Sequence, residues 1–193
     1  MALSADSKLI KAHINALSAL KGKSVEAGWF ESDRYPTGPG GGEGRSVAAN
    51  ARLQEYGGVI DHPGGTKYIR DAVVGGRFVG TRFVRDDFSG EHEVTKAHQI
   101  VIPARPFMRF AWSMFSQMRL QIQSKIARDL ISGKITPDKA LGQIGLALEG
   151  CIAKSIVNGN WAPNAKSTVA AKGFNKPLIR DSHMLQSVTS KVT

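Results

Sequence analysis

Cysteine occurs once in the 193 residues, at Cys151, which excludes an internal disulfide. Its place on the apolar stripe of a helical pattern makes it a packed thiol rather than a nucleophile. No run approaches the roughly 18 apolar residues that a membrane helix needs. The opening "MALSADSKLIKAHINALSAL" is broken by Asp6, Lys8, Lys11 and His13, so it reads as a helix rather than a signal peptide. Acidic side chains thin out along the chain. Residues 1–99 hold 13 Lys and Arg against 12 Asp and Glu, while residues 100–193 hold 13 against 4, so +9 of the net +10 lies in the second half. Such a field suits phosphate or an acidic protein surface. With only Asp129, Asp138, Glu149 and Asp181 there, a paired-carboxylate mechanism has little to draw on in that half.

Recognisable catalytic patterns are missing too. His13, His62, His92, His98 and His183 are dispersed, and none sits in a His-Glu-x-x-His or Cys/His arrangement with metal-ligand spacing. The nearest group, Glu91-His92-Glu93, has no neighbouring fourth ligand and reads as a solvated loop. The glycine-rich stretch from Pro39 to Ser46 has Pro where a P-loop turns on Gly, and Arg45 where its Lys reaches phosphate. No Gly-x-Ser-x-Gly elbow is present. The expectation is a protein that is not an enzyme, with no catalytic residue, metal or cofactor.

What is present has ordinary globular composition, 41% hydrophobic and 22% charged, and reads as one α+β domain over residues 1–193. The expected architecture is a small, mostly antiparallel sheet packed by two long helices, with an inserted, protruding β-hairpin arm. Leu9, Ile10, His13, Ile14, Leu17 and Leu20 recur at helical spacing up to Gly22. A strand follows in "SVEAGWF", then a flexible Gly/Pro loop over 35–46, then a short helix capped by Ser46 and stopped by Gly57. The arm spans 59–97, with Lys67–Val74 pairing with Arg77–Val84 across Gly75-Gly76. Tyr68, Val74, Arg77 and Phe78 are its expected partner-contacting residues, since long excursions are often interaction arms.

"HQIVIP" reads as a strand stopped by Pro103. A long helix from Arg105 to Ile131 follows, with Pro106 in its first turn. Thr136 caps the second long helix, whose stripe Leu141, Ile144, Gly145, Leu148, Ile152 and Ile156 runs to Asn158-Gly159; Gly142 and Gly145 would permit a close helix contact. Asn164 to Gly173 reads as a short helix, and "SVTSKV" as a last strand.

The first long helix is greasy on too many sides. Phe107, Phe110, Ala111, Met114, Phe115 and Met118 form one stripe, and Met108 and Trp112 widen it to roughly 200°, twice the usual core-facing arc. Either the helix is sunk deeply between sheet and second helix, or one edge meets a neighbouring subunit through Met108, Trp112, Phe115 and Arg119, residue types that interface cores favour. From charge alone, Arg105, Arg109, Lys166, Lys172 and Lys176 are candidate phosphate or DNA contacts.

Several stretches together carry a family likeness. "IPARPFMRFAW", two helices, and "GNWAPNAKSTVAAKGFNKPLIRDSHMLQSVTSKV", preceded by "ANARLQEYGG" and "HPGG", resemble the tailed-bacteriophage neck and tail-completion proteins of the minor-tail-protein-Z-like and virion-morphogenesis group. The chain departs from that pattern at an inserted Arg180 and at Asp181-Ser182-His183, where Asp-Thr-Gly is usual. The resemblance implies a structural virion protein, assembled in the host cytoplasm into a homo-oligomeric ring at the head-to-tail junction. A hexamer is preferred, or a dodecamer if the ring follows connector symmetry. The implied partners are the portal-side connector and the tail terminator or tail tube proteins, with DNA passing through the lumen and no membrane. The alternative reading is a basic nucleic-acid-binding module; a hydrolase built on the dispersed histidines has no motif behind it.

Overall fold

The computed structural model describes residues 3–37 and 44–193. In chain order the elements are α1 (Leu3–Ser18), β1 (Val25–Gly28), α2 (Val47–Tyr56), β2 (Gly58–His62), β3 (Lys67–Val74), β4 (Arg77–Phe83), β5 (Glu93–Val94), β6 (His98–Ile102), α3 (Phe107–Ile131), α4 (Pro137–Asn158), α5 (Lys166–Lys172), α6 (His183–Gln186) and β7 (Thr189–Val192). The fold is α+β. Its strands form not one sheet but three small antiparallel ones among the described residues, β1-β7, β2-β6 and β4-β3-β5. The chain divides into two compact units, a body (1–56 with 104–193) and an inserted unit, Gly57–Pro103.

The body is built on α3 and α4. Thr136 caps α4 by accepting from the Lys139 N–H at 3.4 Å, with Pro137 next in line, and Gly133 ends the preceding turn at φ +72°. One core cluster joins Val47 and Ala51 of α2, Phe107, Ala111 and Phe115 of α3, Cys151, Ile152 and Ile156 of α4, and Met184 of α6. A second joins Ile126, Leu130 and Ala140, with Ala16 and Leu20 packed against them. By length and composition α4 is apolar enough to cross a membrane, which the sequence reading overlooked; its buried residues, from Ala140 to Ile156, face the core of the body. Cys151 belongs to that face, and burial pushes its thiol up, away from the reactive thiolate.

Gly145 does permit a close approach, but to strands and not to a helix. A Cβ there would overlap the Ser190 side chain of β7 and touch Val25 of β1, whereas Gly142 faces open space. The short helix expected from Asn164 starts after Ala165, and the Asn164 backbone N–H donates to Asn175 Oδ1 at 3.1 Å. Of the 35–46 loop, residues 38–43 lie outside the described residues, and its flanks are tied by the Tyr35 N–H donating to the Arg45 carbonyl at 3.0 Å. On α1, Ile10, Ile14 and Leu17 are all more than half exposed.

The inserted unit has a different character. β2 and β6 form a ribbon running from Gly58 opposite Ile102 to His62 opposite His98. The strand "HQIVI" therefore belongs to this unit. Gly64 closes the ribbon: at φ +86° it leaves no room for a Cβ against the Thr95–Lys96 backbone, and its N–H donates to His62 Nδ1 at 3.0 Å. β3 and β4 pair across Gly75-Gly76, with register irregularities around Ala72 and a positive φ at Asp71.

Tyr68 on β3 donates from its hydroxyl to Glu93 Oε2 on β5 at 2.5 Å, and Arg70 donates to the same oxygen at 2.8 Å. The Tyr68 bond first, and the Arg70 charge after it, hold the Glu93 carboxyl below the usual glutamate range. A depressed carboxylate stabilises above its unfolded pKa and is lost as pH falls through the folded one. In a carbon-13 titration, Glu93 should therefore have a midpoint below that of a glutamate in an unstructured peptide, and Tyr68→Phe should raise it. An unchanged midpoint in that variant would assign the shift to Arg70.

Candidate functional site

The turn Pro103-Ala104-Arg105-Pro106 has to start a 25-residue helix without a conventional cap. Pro106 sits at the N-cap position and offers no side-chain acceptor. The missing acceptor comes from Glu55 in the last turn of α2. Its buried carboxylate accepts from the Met108 N–H at 2.8 Å and the Arg109 N–H at 3.3 Å, and from Arg109 Nε at 2.9 Å. A negative charge at a helix N-terminus also meets the positive end of the dipole. One residue earlier, Gln54 accepts the Arg105 N–H on its carbonyl at 2.7 Å and the Arg105 guanidinium on its side chain. The rest of that guanidinium donates to the Ala162 and Pro163 carbonyls at 2.8 and 3.1 Å. The stretches "LQEYGG" and "ARPFMR" thus dock on each other.

This docking shapes a groove of about 500 Å³ whose walls come from Ala27 to Trp29, from Ala48, Ala51, Arg52, Glu55 and Tyr56 of α2, and from Met108, Arg109 and Trp112 of α3. Its lining is mainly apolar. Trp112 is 57% and Tyr56 66% exposed, although both are large aromatics. Arg109 lies 5.5 Å over the Tyr56 ring while bound to Glu55. Trp29 is fixed from below, donating to the Met184 carbonyl at 2.9 Å and packing edge-on against Phe107.

The wide apolar arc of α3 now divides. Phe107, Ala111 and Phe115 are buried, and Met114, Met118 and Ile122 pack against the core. Trp112 and Phe110 are the uncovered edges on either side, Phe110 edge-on to Trp161 at 5.8 Å. Of the residues expected at a subunit interface, Met108 lines the groove half-buried, and Trp112 and Arg119 are exposed. Phe115 has to be withdrawn: at 3% exposure it is core, one turn round from Trp112.

One of the expected phosphate contacts is corrected in the same way. Arg105 is buried with its donors committed to carbonyls and Gln54, and so cannot meet a phosphate. Arg109 is paired with Glu55 while its side chain stays exposed. Lys166 and Lys176 are exposed at either end of the α5 region, and Lys172 donates to the Lys176 carbonyl at 2.7 Å. Burial first, then the charges of Arg105 and Arg180, pull the Lys172 ammonium down.

In the inserted unit, Val74, Arg77 and Phe78 surround the turn and are exposed, while Tyr68 is half-buried and tied to Glu93. His183, at the departure from the family-like pattern, is used structurally: its ring lies 2.9 Å from the Arg34 carbonyl and packs by Tyr35. Among the described residues no group of three or more His, Cys, Asp or Glu could hold a metal ion. No protein-family model, curated protein or solved structure matches the chain.

Sequence reasoning missed Glu55. A signal existed: a carboxylate in the last turn of α2 opposes that helix's own dipole, so it has to serve something else. Glu55→Ala should cost roughly 2–3 kcal/mol in urea unfolding, because two N–H groups of α3 lose their acceptor. Arg109→Ala, at an exposed side chain, should cost about 1 kcal/mol or less. Equal losses would mean that the ion pair, and not the cap, carries the effect.

Proposed function

We propose that this chain is a structural assembly protein that forms a homo-oligomeric ring, a hexamer by preference, at the head-to-tail junction of a tailed bacteriophage. The virion setting rests on the resemblance of its "ARPFMR", "LQEYGG" and C-terminal stretches to the neck and tail-completion group. The observation that carries the assembly reading is the poverty of the inserted unit's own core. Between Gly57 and Pro103 only Ala72 is buried, while Val59, Val73, Phe78, Phe83 and Val101 are each more than half exposed. A two-stranded ribbon is marginal in water, and apolar side chains of this size gain from a partner. Trp112 and Tyr56 add an uncovered aromatic pair on the body, of the kind that anchors interfaces.

Light scattering across a concentration series tests this. The wild type should reach a discrete multimer, and Trp112→Ala should weaken its formation by about thirtyfold, the equivalent of about 2 kcal/mol at a central anchor. A wild-type chain that stays monomeric at millimolar concentration, and equally so with connector proteins added, would sink the reading.

A second reading, a nucleic-acid contact, draws on one refinement of the charge map. The inserted unit is neutral, with six basic and six acidic side chains, whereas the body carries 20 basic against 10 acidic. Lys166, Lys172, Lys176 and Arg180 cluster in sequence around α5, with Asp181 as the adjacent acid. DNA binding through such residues should weaken steeply between 50 and 200 mM salt. Binding that is absent at 50 mM salt would remove this reading and leave the ring intact.

A further inference from the structure

We propose that the groove between β1, α2 and α3 is the receptor for the β3-β4 turn of a second copy of this chain, with Phe78 and Val73 entering between Tyr56 and Trp112. The proposal rests on the self-assembly reading and names the surfaces that would meet. Val73 and Phe78 are opposite each other in the β3-β4 register, so their side chains share one face of the hairpin. They are 63% and 69% exposed. The groove is open, about 500 Å³ and mainly apolar, within the size range of sites that enclose ligand-sized groups. Knob and groove are both uncovered in the single chain.

Charge selects this pairing over others. Arg52 on the groove wall has no ion-pair partner among the described residues, since Glu55 is committed to Arg109 and the α3 N-terminus. Asp71, two residues before Val73, is likewise without a partner there, because the neighbouring Arg70 is held by Glu93. A second copy therefore brings an unanswered acid beside the apolar knob to an unanswered base beside the apolar groove. Contact between two bodies would instead set one strongly basic surface against another, whereas the inserted unit is neutral. A knob on one unit and a groove on the other make a heterologous contact, the type that closes rings.

Two measurements test the contact. In light scattering, Phe78→Ala and Asp71→Arg should each raise the concentration for assembly at least about tenfold, and Asp71→Arg combined with Arg52→Asp should bring it back to within about threefold of wild type. In oxidative cross-linking, a mixture of Ala48→Cys and Arg77→Cys chains should give a mixed disulfide dimer that neither variant gives alone; the native Cys151 is buried. A wild-type multimer that survives Phe78→Ala and Asp71→Arg unchanged would overturn this contact while leaving the ring reading in place. So would a cross-link that forms only when both cysteines are on one chain. A wild type that never assembles would overturn both.

Discussion

The carboxylate of Glu55 sets the start of the longest helix in the protein. α3 begins after two prolines bracketing Ala104-Arg105; the Phe107 N–H turns back onto the Arg105 carbonyl, and for the Met108 and Arg109 N–H groups α2 supplies the acceptor from about 50 residues earlier. Removing a charged acceptor from a buried position costs far more than an exposed ion pair returns, so the geometry of the α2–α3 corner follows this one group. Arg105 reinforces it by fastening its backbone and side chain to Gln54 and to the chain beyond α4. With the corner fixed, Phe107 and Ala111 fall into the core, and Met108 and Trp112 are turned onto the groove.

The two units are held together in different ways. The body holds the buried clusters and all of the net charge, and the inserted unit holds ladders of backbone hydrogen bonds around a single buried side chain. Its stiffness comes from turns that only glycine fits, such as Gly64, and from the Tyr68–Glu93–Arg70 cluster. On the proposed assembly reading, an element of that kind presents a surface for a partner to cover.

Local chemistry was the legible part of the sequence. Ser46, Thr136 and Pro137 marked helix starts, Gly57 and Gly173 marked stops, and Gly75-Gly76 marked the turn between β3 and β4. Pairings across long separations were not legible. β2 and β6 lie 35 residues apart between their facing ends, and no local pattern reports that ladder. The same limit hid Glu55 behind a helix that its charge does not suit, and made Arg105 look like a phosphate ligand when its acceptors are carbonyls from a distant loop. Periodicity gave the width of the α3 arc but not which edge lay inside, so Phe115 and Trp112 were read alike, although one is buried and the other open. Gly145 was recognised as a close approach, and only the fold identified the strands that approach it.

The hydrogen bond from the Arg105 amide to the Gln54 carbonyl has a consequence for how this chain could have been put together. It holds the two ends of a 47-residue excursion side by side within the body, before that excursion contributes anything. Closing a loop of that length costs roughly 3 kcal/mol of chain entropy, and the cost grows only slowly with further residues. The corner therefore behaves as a socket into which cassettes of different length can be spliced at nearly constant expense. Selection can then rewrite what the chain reaches for while the scaffold that carries it stays the same.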